Sequence, residues 1–115
     1  MAYDDFLADR IRHIINASSV TFHEKEMMGG LIFMVNDKMC CGTHYDKKFK
    51  GDLLMVKIGM VAYEEEIEKE VCLPMDFTGR SMRGYIFITP EGFDMDEELQ
   101  YWVQKGLDFN QISIT

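Results

Sequence analysis

Apolar residues recur at helical spacing near the start of the chain. Leu7, Ile11, Ile14 and Ile15 fall at i, i+4, i+7 and i+8, one stripe behind Asp4 and Asp5, either of which suits an N-cap. The pattern predicts a helix over about residues 4–16, broken by "NASS". From Val20 the period changes. "VTFHEKEMM" alternates loosely and Gly29 and Gly30 interrupt it. "LIFMVNDKMCCG" then reads as two strands around Asn36-Asp37, residues that tolerate the positive φ of a two-residue hairpin turn. After a polar loop, "DLLMVKIG" predicts a strand at about 52–58, apolar on both faces and therefore central in its sheet.

"VAYEEEIEKEV" sets Val61, Ala62, Ile67 and Val71 among five glutamates between 64 and 70, which predicts a short helix with one solvated acidic face. Pro74 ends that region. "MDF" and "RGYIFI" read as two more strands, with turn residues "TGRSM" between them. Asp94 followed by Glu97 resembles a capping box, and Leu99, Trp102, Val103 and Leu107 or Gly106 continue a stripe, so a last helix is predicted over about 95–109. The order is α-β-β-β-β-α-β-β-α. Without regular βαβ alternation, the expected fold class is α+β, an antiparallel sheet with flanking helices. No repeat, linker or low-complexity segment divides the 115 residues, so residues 1–115 are read as one domain.

Charge narrows the functional classes. Twenty acids against twelve bases give a net charge of −8, a field that repels phosphate backbones and anionic lipid. The one dense basic cluster, "DKKFKGD", is bracketed by Asp46 and Asp52. Strong direct nucleic-acid binding and membrane association are therefore not expected. The opening residues mix charge into every turn instead of forming a leader peptide, and the longest apolar run is "LIFMV". A cytoplasmic protein with three reduced cysteines is the expectation.

The segment "NDKMCCGTHYD" concentrates the reactive side chains. On a regular strand Cys40 and Cys41 point to opposite faces and cannot share a metal, and Cys72 with His13, His23 and His44 supplies no second paired motif. Buried thiols are the expected reading, and no metal site is expected. A reactive Cys41 would need a base and an electropositive setting; His44 lies about 10 Å away along a regular strand, and His23 could approach only through the tertiary fold. "DFTGRSMRG" is the other polar constellation. Arg80 and Arg83, with Gly79 and Gly84 bounding a turn, could cradle an anion or simply solvate a hairpin tip. No Lys-Ser/Thr follows Gly84, so this is not a P-loop, and no cofactor is implied. The ten methionines are scattered as core filler, and the acids at 94–98 suit the positive end of the last helix.

Taken in order, "MMGGLIFMVNDKMCCG", "DLLMVKIG", "PMDFTGRSMRGYIFI" and "PEGFDMDEELQYWV", with the opening "MAYDDFLADRIR", closely resemble the N-terminal domain of the TfoX/Sxy family of bacterial competence regulators. The sequence departs from the family pattern at Met28, Met60 and Ser81, where the family commonly has Phe, Pro and Pro. The resemblance implies an α+β domain and no catalytic residues. Full-length members act in natural transformation with the cyclic-AMP receptor protein and carry a C-terminal domain, which this sequence is read as lacking.

The leading functional expectation is thus a non-enzymatic regulatory domain that contacts a protein partner in the transcription apparatus, such as the cyclic-AMP receptor protein or RNA polymerase. A small-anion binding module at Arg80 and Arg83 is the alternative, and a thiol enzyme or redox sensor at Cys41 a second one. Pairing of an edge strand would also allow a homodimer.

Overall fold

The computed structural model describes residues 4–27, 29–77 and 80–113, and at 76–77, 80–83 and 113 it describes the backbone. Helix α1 (Asp5–Ala17) is capped by Asp4, whose Oδ1 accepts hydrogen bonds from Phe6 N at 2.9 Å and Leu7 N at 3.4 Å. A carboxylate there satisfies free backbone donors and meets the positive helix end, worth about 1 kcal/mol. The expected stripe faces inward, with Leu7, Ala8, Ile11 and Ile15 buried.

Strands β1 (Phe22–Met27), β2 (Gly30–Val35), β3 (Lys38–Asp46) and β4 (Gly51–Lys57) follow. Helix α2 (Gly59–Glu66), strands β5 (Cys72–Phe77) and β6 (Arg80–Ile88), a 3₁₀ turn at Pro90–Gly92 and helix α3 (Asp96–Ser113) complete the chain. The strands form one six-stranded antiparallel sheet in the order β1-β2-β3-β4-β6-β5, the α+β arrangement that the hydrophobic pattern predicts. Between β2 and β3, Asn36 has φ 55° and Asp37 φ 61°, the left-handed pair that a tight hairpin of the correct twist requires. Asn36 Nδ2 donates to Asn110 Oδ1 at 2.8 Å and Asn110 Nδ2 donates to Val35 O at 2.9 Å, which ties this turn to α3.

The central strand β4 is buried on both faces. Leu54 and Val56 pack beneath the helices with Ile11 of α1, Tyr63 of α2 and Trp102 and Val103 of α3. Leu53 and Met55 join Ile32, Met75 and Phe87 in a smaller cluster on the opposite face. The indole Nε1 of Trp102 donates to Gly92 O at 3.0 Å, so the largest side chain of the main core leaves no orphaned donor.

Four boundaries differ from the sequence expectation. Strand β3 extends through Thr43–Asp46, expected as loop, because these residues pair in register with Gly51–Leu54. Helix α2 stops at Glu66 rather than near Val71: Lys69 N donates to Glu66 O and Cys72 N to Lys69 O, both at 3.0 Å, turning the chain into β5. Helix α3 runs four residues past 109, and its N-terminal contact is Met95 N donating to Glu98 Oε1 at 3.3 Å, one residue beyond the expected Asp94–Glu97 pair. Arg80, Ser81 and Met82, expected as turn, lie in β6, with Arg80 opposite Phe77.

Candidate functional site

The paired cysteines sit at a fault in the sheet. Phe33 pairs with Cys41 and Met34 with Met39, so Cys40 is the extra residue of a β-bulge. The alternation expected of a regular strand fails here, and both thiols enter the helix-side core, Cys40 1% and Cys41 0% exposed. Helix α3 crosses close above them: a Cβ on Gly106 would meet Cys40 O at 3.1 Å and Val56 Cγ1 at 2.9 Å, so only glycine fits at the crossing. Contact with Cys40 and burial push the Cys41 thiol well above its ordinary range, and burial, then the Glu66 charge, pushes Cys72 up to about 11. These settings oppose thiolate formation.

The histidines do not reach Cys41. His44 pairs with Leu53 and His23 with Met34, on the sheet face opposite Cys41. The His44 ring stacks on Phe87 with centroids 4.7 Å apart. Among the described residues, no group of three or more His, Cys, Asp or Glu is arranged to hold a metal ion.

Of the residues singled out for anion binding, Gly79 lies outside the described residues, as do the side chains of Arg80 and Arg83. Gly84 is described. Buried within β6 at φ 92°, it accepts a hydrogen bond at its carbonyl from Ile58 N at 2.8 Å, where β4 passes into α2.

That junction builds an apolar groove. Gly59, at φ 84°, lets the chain turn into α2 without a side chain and leaves room for the Phe109 ring of α3, whose Cε1 would stand 2.4 Å from a Cβ on Gly59. Phe109 thus forms a floor between two walls. Met60, Val61, Ala62 and Glu65 line the α2 side; Lys105, Asp108 and Ile112 line the α3 side, around about 370 Å³ of open volume. Val61 is 78% and Ile112 67% exposed, an unusual position for large aliphatic side chains sharing one concave surface. A larger cleft of about 590 Å³ between α1 and α3 is polar. Its Arg10 Nη2 is held by Phe93 O at 3.1 Å, Asp94 O at 3.0 Å and Asp96 Oδ1 at 3.2 Å.

Beside the groove, Glu66 is buried at 4% exposure, although the acidic run reads in sequence as a solvated face. Lys69 Nζ lies 2.5 Å from its Oε1 and Lys105 Nζ 3.4 Å from its Oε2, and Tyr101 Oη donates to Oε2. Burial alone would raise this carboxyl; the Lys69, Tyr101 and Lys105 contacts outweigh it and hold the pKa below the ordinary range. The hydrogen bond that Lys69 donates to Glu66 likewise holds Lys69 above its usual value.

Sequence reading missed the groove for identifiable reasons. Val61 fits a core stripe, and Ile112 lies beyond the expected end of α3. The usable signal was Lys105, Phe109 and Ile112 at i, i+4 and i+7, together with a glycine immediately before the acidic helix.

No helix among the described residues is long and apolar enough to cross a membrane. The family model of the TfoX N-terminal domain matches residues 17–110. Comparison with curated proteins and with solved structures gave no match.

Proposed function

Because the chain belongs to the TfoX N-terminal domain family, we propose that it is a non-enzymatic protein-interaction domain of bacterial gene regulation. It acts in the cytoplasm on a component of the transcription apparatus, with the cyclic-AMP receptor protein and RNA polymerase as the first partners to test. The observation that carries this reading is the groove between α2 and α3, where Met60, Val61 and Ile112 present apolar surface to solvent over a preformed floor. Concave apolar surface of this kind is the ordinary seat of a partner's anchor residues. The charge of −8 favours contact with protein over the nucleic acid itself.

Isothermal titration of the purified chain against each purified partner tests the reading. Binding is expected for the parent and lost in Val61→Glu/Ile112→Glu, whose two sites are too exposed to disturb the fold. Partner binding undiminished in the double variant, or salt-resistant binding to duplex DNA, would overturn it.

A further inference from the structure

We propose that the groove takes a cationic amphipathic helix, one whose apolar ridge is flanked on both sides by Lys or Arg. This rests on the reading of the groove as a docking surface and adds the chemistry of what docks.

The argument is charge complementarity around an apolar slot. Each wall contributes one carboxylate, Glu65 from α2 and Asp108 from α3. Among the described side chains, the cations nearby have partners already. Lys105 is held against Glu66 and over the Tyr101 ring, 5.2 Å from its centroid. Lys57 Nζ lies 5.5 Å over Tyr85 and 5.9 Å over Phe109. The described lining thus carries two carboxylates against one ammonium, and that ammonium is paired with the buried Glu66, so the lining is net negative. The floor and inner walls are Phe109, Val61, Ala62 and Ile112, a lining that an aliphatic ridge matches. The open volume of about 370 Å³ is large enough to hold water that apolar side chains would displace. A helix with cations on either side of its ridge satisfies both walls at once. An acidic helix would bring like charges together on both.

Two fluorescein-labelled helices of about 18 residues, long enough to be helical when bound, form the test: one of Leu, Ala and Lys, the other with Glu in place of every Lys. Each is titrated into the full chain by anisotropy at about 0.1 M and 1 M salt, where the Debye length falls from about 10 Å to about 3 Å. Amide shifts in ¹H–¹⁵N spectra locate the contact. The expected result is binding of the Lys helix, weakened several-fold at high salt, with shifts centred on residues 59–65 and 105–112. Val61→Glu/Ile112→Glu should weaken it at least about tenfold, the size of losing one buried anchor. Glu65→Lys/Asp108→Lys should reverse the preference between the two helices.

If the Glu helix binds the same residues equally well or better, the proposed partner class is overturned while the docking surface stands. If neither helix shifts these residues, the docking surface falls with it. Concentration-dependent self-association abolished by Val61→Glu/Ile112→Glu would overturn the proposal by assigning the groove to a second copy of the chain.

Discussion

Replacing Gly59 with alanine should destabilise the protein by about 2–5 kcal/mol, from two causes that can be separated. The first is the backbone: φ is 84°, in the left-handed region, where a Cβ costs about 1–2 kcal/mol. The second is overlap. The new Cβ would stand 2.4 Å from Phe109 Cε1 and 2.5 Å from Cδ1, so the ring must move, at the 1–3 kcal/mol typical of overpacking, ~2 at the centre. For a domain of this size the sum lowers Tm by roughly 8–20 °C, taking about 4 °C per kcal/mol. Urea unfolding followed by the fluorescence of Trp102, the single tryptophan and a buried one, gives the free energy directly.

The separation comes from repeating the substitution in a Phe109→Ala background. Alanine removes Cδ1, Cε1 and Cζ, the atoms that the new Cβ would meet, so only the backbone term remains and the cost of Gly59→Ala should fall to about 1–2 kcal/mol. The loss caused by Phe109→Ala itself cancels in the cycle. Equal costs in the two backgrounds would refute the packing of Phe109 over Gly59, and with it the account of the groove floor. A total under about 1 kcal/mol would refute the left-handed backbone as well.

Glu66 makes the second prediction. Its folded pKa is depressed, so its stabilisation is present above the unfolded carboxylate range near about 4.3 and is lost as pH falls through the lower folded value. Glu66→Gln should cost about 1–3 kcal/mol at neutral pH and flatten the acid limb of a Tm–pH profile; a limb as steep as the parent's would contradict the assignment. Asp52 has the opposite sign. Burial, then repulsion from Asp4, raises its pKa, so stability falls as pH rises from the unfolded value to the folded one. Asp52→Asn should raise Tm at pH 7, with the gain fading below about pH 4, and no gain at pH 7 would count against the burial of Asp52 Oδ1. The three thiols, all buried, should alkylate slowly and together in the native state, as mass spectrometry would follow. Early, selective modification of Cys41 would restore the thiol-enzyme alternative.

The fold was legible in the sequence wherever one period dominated. The stripe of α1, the Asn36-Asp37 turn and the doubly apolar β4 each follow from local chemistry, and their order sets the sheet. What stayed hidden depends on contacts distant in sequence. Nothing near Cys40 signals that β3 carries one residue more than β2 can pair, since a bulge is a property of two strands. Glu66 cannot be told from Glu64 or Glu65 until Tyr101 and Lys105 arrive from α3. Gly84 belongs to a glycine-bounded turn on paper, yet its carbonyl serves the start of α2. The groove depends on the last two of these features, contacts between elements distant in sequence, which is why composition showed only a net-acidic chain.

The same contacts explain why the groove is open rather than collapsed. At one end Ile58 is bonded to Gly84 and Gly59 rests on Phe109, which fixes where α2 begins relative to α3. At the other, Tyr101 and Lys105 of α3 converge on Glu66 in the last turn of α2. Fastened at both ends, the two helices cannot close over Val61 and Ile112 without breaking a part-buried, charge-assisted set of hydrogen bonds on the buried Glu66, each worth about 1.5–3 kcal/mol at most. The burial of Val61 and Ile112 against each other would return less, since each would gain only part of the 1.5–3 kcal/mol of a fully buried aliphatic side chain. The groove therefore remains preorganised, and a partner inserting an apolar ridge gains that burial without first separating the walls.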